Sequence, residues 1–159
     1  AALMRNKGKI MAYDIEPWKL EELKKRAKRA GVHNIECLTE LNEEVKKKFD
    51  SKTDMVVLDA PCSGSGVFKR NPDSKWKLNA AKMDDLCRLQ KQILDQYSVF
   101  VKKNGFLIYA TCSMFDCENK QQIQDFLAQH PDFSFVDEKR IYPSEGFDGF
   151  YMAKLIRNA

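Results

Sequence analysis

The 159-residue chain has only two histidines, His33 and His130, and no CxxC pair among its five cysteines. Both scarcities argue against a zinc site, and an odd cysteine count at this chain length argues against a disulfide framework. The expectation is therefore reduced thiols, no metal and a cytoplasmic setting. Glycine (7) and proline (5) are sparse, which excludes collagen-like and low-complexity chains. No apolar run reaches the roughly 18 residues that a membrane span needs. Residues 1–15 hold no apolar core ahead of a small-residue cleavage site, so no signal peptide is read. Neither sign of charge dominates: 27 Lys and Arg stand against 23 Asp and Glu, a net +4. That balance permits an anionic partner such as RNA without demanding one.

What is present reads as one α/β domain over residues 1–159, with enough hydrophobic residues (43%) for a real core. Ala1 to Met4 is apolar and helix-favouring with no cap before it, and Gly8 suits a left-handed helix exit. This start reads as the last turn of a helix whose beginning is absent. Short apolar runs predict strands at 9–14, 34–39, 54–60 and 106–110. Asp54 to Ala60 is a continuous aliphatic run of the kind buried on both sheet faces. Helical periodicity predicts helices over 16–30, 41–49, 81–103 and 118–130. The third carries a stripe of Met83, Leu86, Leu89, Ile93, Tyr97 and Phe100. Residues 133–157 predict a closing hairpin around Pro143 and Gly146. Strands alternating with helices imply a doubly wound, mostly parallel sheet with a C-terminal antiparallel hairpin.

In such sheets ligands bind beyond the C-terminal strand ends. The first strand ends in Asp14, which suits the two hydroxyls of a ribose or, equally, a cap for the following helix. The third ends in Asp59-Ala60-Pro61-Cys62-Ser63-Gly64-Ser65-Gly66 and the fourth in Thr111-Cys112-Ser113. Neighbouring strands lie ~4.8 Å apart, so Cys62 and Cys112 can share a pocket. A free thiol is only about 3% thiolate at pH 7, and nearby cations or a helix N-terminus would raise that fraction. Cys37 and Cys87 read as small buried hydrophobes. The Ser-Gly loop matches neither a GxSxG elbow nor a P-loop. It suits backbone approach to a base or phosphate at Ser63 and Gly64. Beyond it Lys69, Arg70, Lys75 and Lys77 surround Trp76, a pattern that suits single-stranded nucleic acid and equally a solvated surface loop.

The two cysteine motifs, in this order, resemble those of the Sun-type (RsmB-like) RNA cytosine-C5 methyltransferases. The resemblance begins at Asn6-Lys7-Gly8-Lys9-Ile10 and ends at Gly146-Phe147-Asp148-Gly149-Phe150-Tyr151. It implies a Rossmann-like fold, S-adenosylmethionine as cofactor, RNA, most readily ribosomal RNA, as substrate and, in a eukaryote, a nucleolar setting. It also implies Cys112 as the thiolate adding to cytosine C6 and Cys62 as the thiol assisting loss of the C5 proton. Asp59 would hold the N3/N4 edge of the base, Asp14 the cofactor ribose, and Asp59 and Pro61 the rest of the cofactor pocket. The base must be presented unstacked.

Three departures stand out. The family's glycine-rich first motif, a central strand and loop, lies upstream of Ala1 and is missing. The sheet must then close a gap, splay, or borrow a strand in an oligomer, and the chain alone is expected to bind the cofactor poorly. Glu40 is a stand-in for an acid usual near the adenine, and Lys19 stands where an Arg is usual. Three rivals remain. A non-catalytic RNA-binding domain keeping the fold is the first. A DNA cytosine methyltransferase, with Cys62 as nucleophile, is the second. The third is a thiol hydrolase, which needs a histidine at the strand ends, where neither His33 nor His130 falls.

Overall fold

The computed structural model describes residues 1–158. The single domain expected from the lack of a linker takes the form of two compact units, one of residues 1–48 and one beginning at Phe49.

In the first unit, β1 (Ile10–Tyr13) and β2 (Ile35–Leu38) pair in parallel across α1 (Pro17–Arg29). Pro17 sits in the first turn of α1, where its missing N–H costs nothing. Leu20 is the buried residue of this helix. A short charged helix, α2 (Glu43–Phe49), follows. Near the N-terminus the Asn6 N–H bonds the Ala1 carbonyl at 3.3 Å, with Arg5 at φ +50° and Asn6 at φ +57°. Gly8 is left-handed as expected, at φ +69°, and Arg5 and Asn6 enter the same region ahead of it.

The second unit carries a four-stranded sheet in the order β3-β4-β6-β5, with β3 spanning Thr53–Asp59, β4 Val101–Thr111, β5 Phe133–Ile141 and β6 Phe150–Arg157. β3 and β4 are parallel, while β4–β6 and β6–β5 are antiparallel. One sheet face packs under α3 (Ala80–Ser98) and α4 (Lys120–Gln129). The core there is Leu58, Leu94, Leu107, Tyr109, Ile123, Phe126, Tyr151, Ala153 and Leu155. No strand pairs the two ladders with each other among the described residues. Among the described residues no helix is long and apolar enough to cross a membrane.

Three expectations fail for physical reasons. α3 stops at Ser98, not 103, because the Phe100 carbonyl turns to accept from the N–H groups of Lys52 and Thr53 and from Thr53 Oγ1. Phe100 lies past the helix, and Val101 already pairs with Thr53. The stripe expected on α3 departs at Leu89, which is 41% exposed, and the fully buried line runs through Gln90, Leu94 and Ser98, while Ile93 and Tyr97 of the stripe pack against the core as expected. β3 is an edge strand with one face bare, Met55 at 52% and Val57 at 63% exposure, so the aliphatic run is buried on one side only.

The backbone crosses itself closely where the loop after β3 meets the loop before β6. The Gly149 N–H donates to the Gly66 carbonyl at 2.8 Å. A Cβ on Gly66 would meet the Gly149 oxygen at 2.2 Å. Gly66→Ala should therefore cost about 3 kcal/mol through overpacking. Gly146→Ala, in open space at φ +85°, should cost only about 1 kcal/mol of left-handed strain. Urea unfolding of the two variants checks the order.

Candidate active site

The parallel register sets the site. Asp59 of β3 faces Ala110 of β4, so the chain segments leaving these strands emerge side by side. The Ala60 N–H still donates to the Ala110 carbonyl at 2.9 Å. Two residues further on, the Cys62 and Cys112 sulfurs lie 3.4 Å apart, both half-buried and both free. The expected pair therefore forms. Asp59 is exposed at the same strand end, as is Pro61.

The two thiols share a proton unequally. Cys62 donates to Cys112, which lowers the Cys112 pKa to about 7 against the opposing pull of burial and of the negative charges of Asp59 and Glu118. The same hydrogen bond, with burial, pushes Cys62 far up. A thiol at about 7 is roughly half ionised at neutral pH, against about 3% for a free thiol. Ionisation of the pair therefore falls first on Cys112, while Cys62 keeps its proton beside it.

Beneath the sulfurs lies a polar network that the sequence did not announce. Glu118 is fully buried. Its carboxylate accepts from the Ser63 N–H at 2.8 Å, the Ser63 hydroxyl at 2.6 Å, Gln90 Nε2 at 3.0 Å and the Ser113 hydroxyl. Gln90 Nε2 also donates to the Pro61 carbonyl at 2.9 Å, which is why a polar residue occupies the inward line of α3. The Ser65 hydroxyl accepts from the Met114 N–H at 2.8 Å and bonds the Ser113 hydroxyl at 3.2 Å. The Gly66 N–H donates to the Cys112 carbonyl at 2.9 Å. Thr111 Oγ1 donates to Asn119 Oδ1 at 2.5 Å, and Asn119 Nδ2 donates to the Ser113 carbonyl at 2.8 Å. The only signal for this network is the Ser that follows each cysteine, with Glu118-Asn119 a few residues after the second.

Ser63, expected to face substrate, has both its N–H and its hydroxyl engaged by Glu118. Gly64 makes the turn after it at φ +68°. Lys69 is exposed, and Arg70 pairs with Asp148 at 2.9 Å. Trp76 is 81% exposed, with Lys75 Nζ 4.9 Å from its ring centre. Cys87, expected as a small buried hydrophobe, is only half-buried, and its thiol donates to the Cys117 carbonyl at 3.4 Å. Its pKa is pushed up to about 12 by burial and by neighbouring Cys117, Glu118 and Asp84. His130 stacks on Phe126 and bonds Asp95 at 2.9 Å.

In the first unit, Asp14 follows β1 and is partly exposed. One carboxylate oxygen accepts from the Glu16 N–H at 2.9 Å, and the other lies 3.6 Å from Lys19 Nζ. Lys19 in turn pairs with Glu16 at 2.7 Å. Glu40 is exposed in the turn after β2.

The thiol assignment is checked by alkylation. Cys112 should react with iodoacetamide along a pH curve with its midpoint near 7. Cys62→Ala removes the donor, so the midpoint should climb toward the ordinary thiol value, with the rate at pH 7 falling about tenfold or more. Mass spectrometry of the alkylated peptides reads both.

Comparison with known proteins places this geometry. The family model described as 16S rRNA methyltransferase RsmB/F matches residues 1–156. Ribosomal RNA small subunit methyltransferase B of Pectobacterium carotovorum is 35% identical over 94% of this chain and 37% of its own length. The enzyme of the same name from Yersinia enterocolitica is 34% identical over 93% of the chain and 36% of its own length. The chain thus spans just over a third of the length of these relatives. Among solved structures, a methyltransferase homolog protein from Pyrococcus horikoshii superposes at a TM-score of 0.82 with 26% identity, covering 99% of this chain and 56% of that one. NSun6 from the same organism, solved with SFG, superposes at 0.84 with 24% identity over 100% of this chain and 44% of that one, a likeness of fold. The α/β architecture is accordingly the Rossmann-like methyltransferase fold, and the chain belongs to the RsmB/F family of 16S rRNA methyltransferases.

Proposed function

We propose that the protein carrying this chain methylates C5 of cytosine in RNA, most readily ribosomal RNA, through a covalent bond between Cys112 and C6. The observation that carries this reading is the 3.4 Å thiol pair with the Cys112 pKa lowered to about 7. A non-catalytic RNA-binding domain has no use for a poised thiolate.

Cytosine C5 is a weak nucleophile. Addition of the Cys112 thiolate to C6 converts the ring to an enamine and makes C5 reactive. Asp59, exposed at the strand end, hydrogen-bonds the N3/N4 edge and favours the protonated ring that accepts the thiolate. Adduct formation turns Cys112 into a thioether. That removes the neighbouring thiolate, whose hydrogen bond and charge hold the Cys62 pKa up. Cys62 then loses its proton to solvent more readily. Its thiolate takes the C5 proton of the methylated ring, the C5–C6 double bond re-forms, and Cys112 departs as a thiolate. S-adenosylmethionine, when bound, supplies the electrophilic methyl group. Asp14 fits its ribose, because the carboxylate follows a parallel strand and keeps one oxygen clear of backbone donors. Asp59 and Pro61 would line the reacting end. Support for this cofactor comes from the family and from a structural neighbour solved with SFG, an S-adenosylmethionine analogue. Ser63 and Gly64 shape the loop beneath the base. Lys69 and Arg70, with exposed Trp76 beyond them, offer charge and a stacking surface to single-stranded RNA.

The test uses the full-length protein carrying this chain, with ribosomal RNA and labelled methyl donor. Cys112→Ala should lower methyl transfer at least about 10³-fold with RNA affinity little changed. Cys62→Ala should accumulate an RNA–protein adduct that survives a denaturing gel. An adduct lost in Cys62→Ala but kept in Cys112→Ala would reverse the two roles, and methyl transfer by Cys112→Ala at the wild-type rate would end the reading.

A further inference from the structure

We propose that Glu118 is the positioning residue of the thiol pair, its buried carboxylate fixing the Cys62–Cys112 spacing by holding the residue that follows each cysteine. The inference rests on the proposed function only in taking the two sulfurs as the reacting groups.

The argument is geometric. Ser63 follows Cys62 and Ser113 follows Cys112, and each hydroxyl donates to the same carboxylate, as does the Ser63 N–H. Adjacent Cα atoms are a fixed ~3.8 Å apart, so a shift of either serine is passed to its cysteine. The carboxylate is itself immobile. The Glu118 carbonyl accepts from the Tyr109 hydroxyl at 2.7 Å, from the middle of the core strand β4. The side chain of the next residue, Asn119, bonds both Thr111 and the Ser113 carbonyl. Gln90, rooted in α3, donates at once to Glu118 and to the Pro61 carbonyl just before Cys62.

One carboxylate oxygen, Oε1, takes the two N–H donors of Ser63 and Gln90, and the other, Oε2, takes the two serine hydroxyls, so a single side chain spans both loops. Burial without solvent makes each of these charge-assisted bonds stronger and each loss costlier. Glu118 has no exposed surface, so it cannot reach a base or a cofactor. Its effect on the chemistry passes through the two loops. A displacement of about 1 Å between reacting groups can cost about 10²-fold in rate, which is the reason for a dedicated clamp on this pair.

The test reads thiol proximity and needs neither RNA nor cofactor. Diamide oxidises two neighbouring thiols to a disulfide, taking up both hydrogens as its hydrazine. In this chain the Cys62–Cys112 disulfide, quantified by peptide mass mapping, should form at least tenfold more slowly in Glu118→Ala, which removes the whole carboxyl group, than in the wild type. Far-ultraviolet circular dichroism and alkylation of Cys37, in the other unit, should stay unchanged. If Glu118→Ala fails to fold, Ser63→Ala and Ser113→Ala decide, each removing one hydroxyl donor and slowing the disulfide at least threefold. Wild-type rates in Glu118→Ala, or in both serine variants, overturn the assignment. A slow Glu118→Ala disulfide together with no RNA adduct in Cys62→Ala would keep the clamp and discard the methylation chemistry. The converse pair of results would do the reverse.

Discussion

A carboxylate buried without solvent is tolerated in a protein only when enough donors converge on it to replace its lost hydration. Glu118 meets that condition with two serine hydroxyls, a backbone N–H and the Gln90 amide. These donors come from three stretches of chain: the loop after β3, the loop after β4 and the middle of α3. Two chain segments separated by some fifty residues thereby acquire a common reference point. Hydrophobic burial and the parallel backbone ladder bring β3 and β4 together, but that pairing ends near Asp59 and Ala110. It does not set the separation of two atoms beyond the strand ends. The polar network supplies that directional constraint, and the sulfur pair inherits it.

The electrostatics of the sulfurs follow from the same closeness. Two thiols at hydrogen-bonding distance cannot both ionise, because the second charge would face the first across a few ångströms of half-buried space. One proton is retained between them, and the thiolate falls on Cys112. Asp59 and Glu118 work against that thiolate, so the low Cys112 value reflects the hydrogen bond from Cys62 and no general attraction for anions. This differs from a cysteine activated by an adjacent imidazolium. Both histidines lie elsewhere, one paired with Asp95 and the other beside Gly31.

The meeting of the cysteines was legible because each follows an aliphatic run that predicts a strand, and parallel neighbours deliver their C-terminal ends to one edge. The closing hairpin was legible from Pro143 and Gly146 between two β-rich runs. The clamp was not. Glu118 sits in the polar stretch Asp116-Cys117-Glu118-Asn119-Lys120, where composition points to solvent, and only the tertiary fold reveals that it faces inward. Gln90 misled in the same sense. A hydrophobic count along α3 favours Leu89 as the inward residue, and the helix is instead phased by a glutamine with two buried acceptors. The end of α3 was illegible because Val99, Phe100 and Val101 prolong the apolar pattern. What stops the helix is backbone pairing with Lys52 and Thr53, nearly fifty positions earlier.

The bare side of β3 has its own implication for handling the molecule. Met55 and Val57 stand on an outermost strand whose outer row of amides and carbonyls has no ladder partner in the sheet. A β-rich, uncharged stretch of this kind is a template for adding foreign chains. The Met-Val-Val-Leu segment is bracketed by Asp54 and Asp59, and these flanking acids act as gatekeepers, charges that discourage a second strand from zipping on. Asp54 is itself paired with Lys102, so the guard at the other end of the segment is Asp59, the same acid that stands beside the sulfurs.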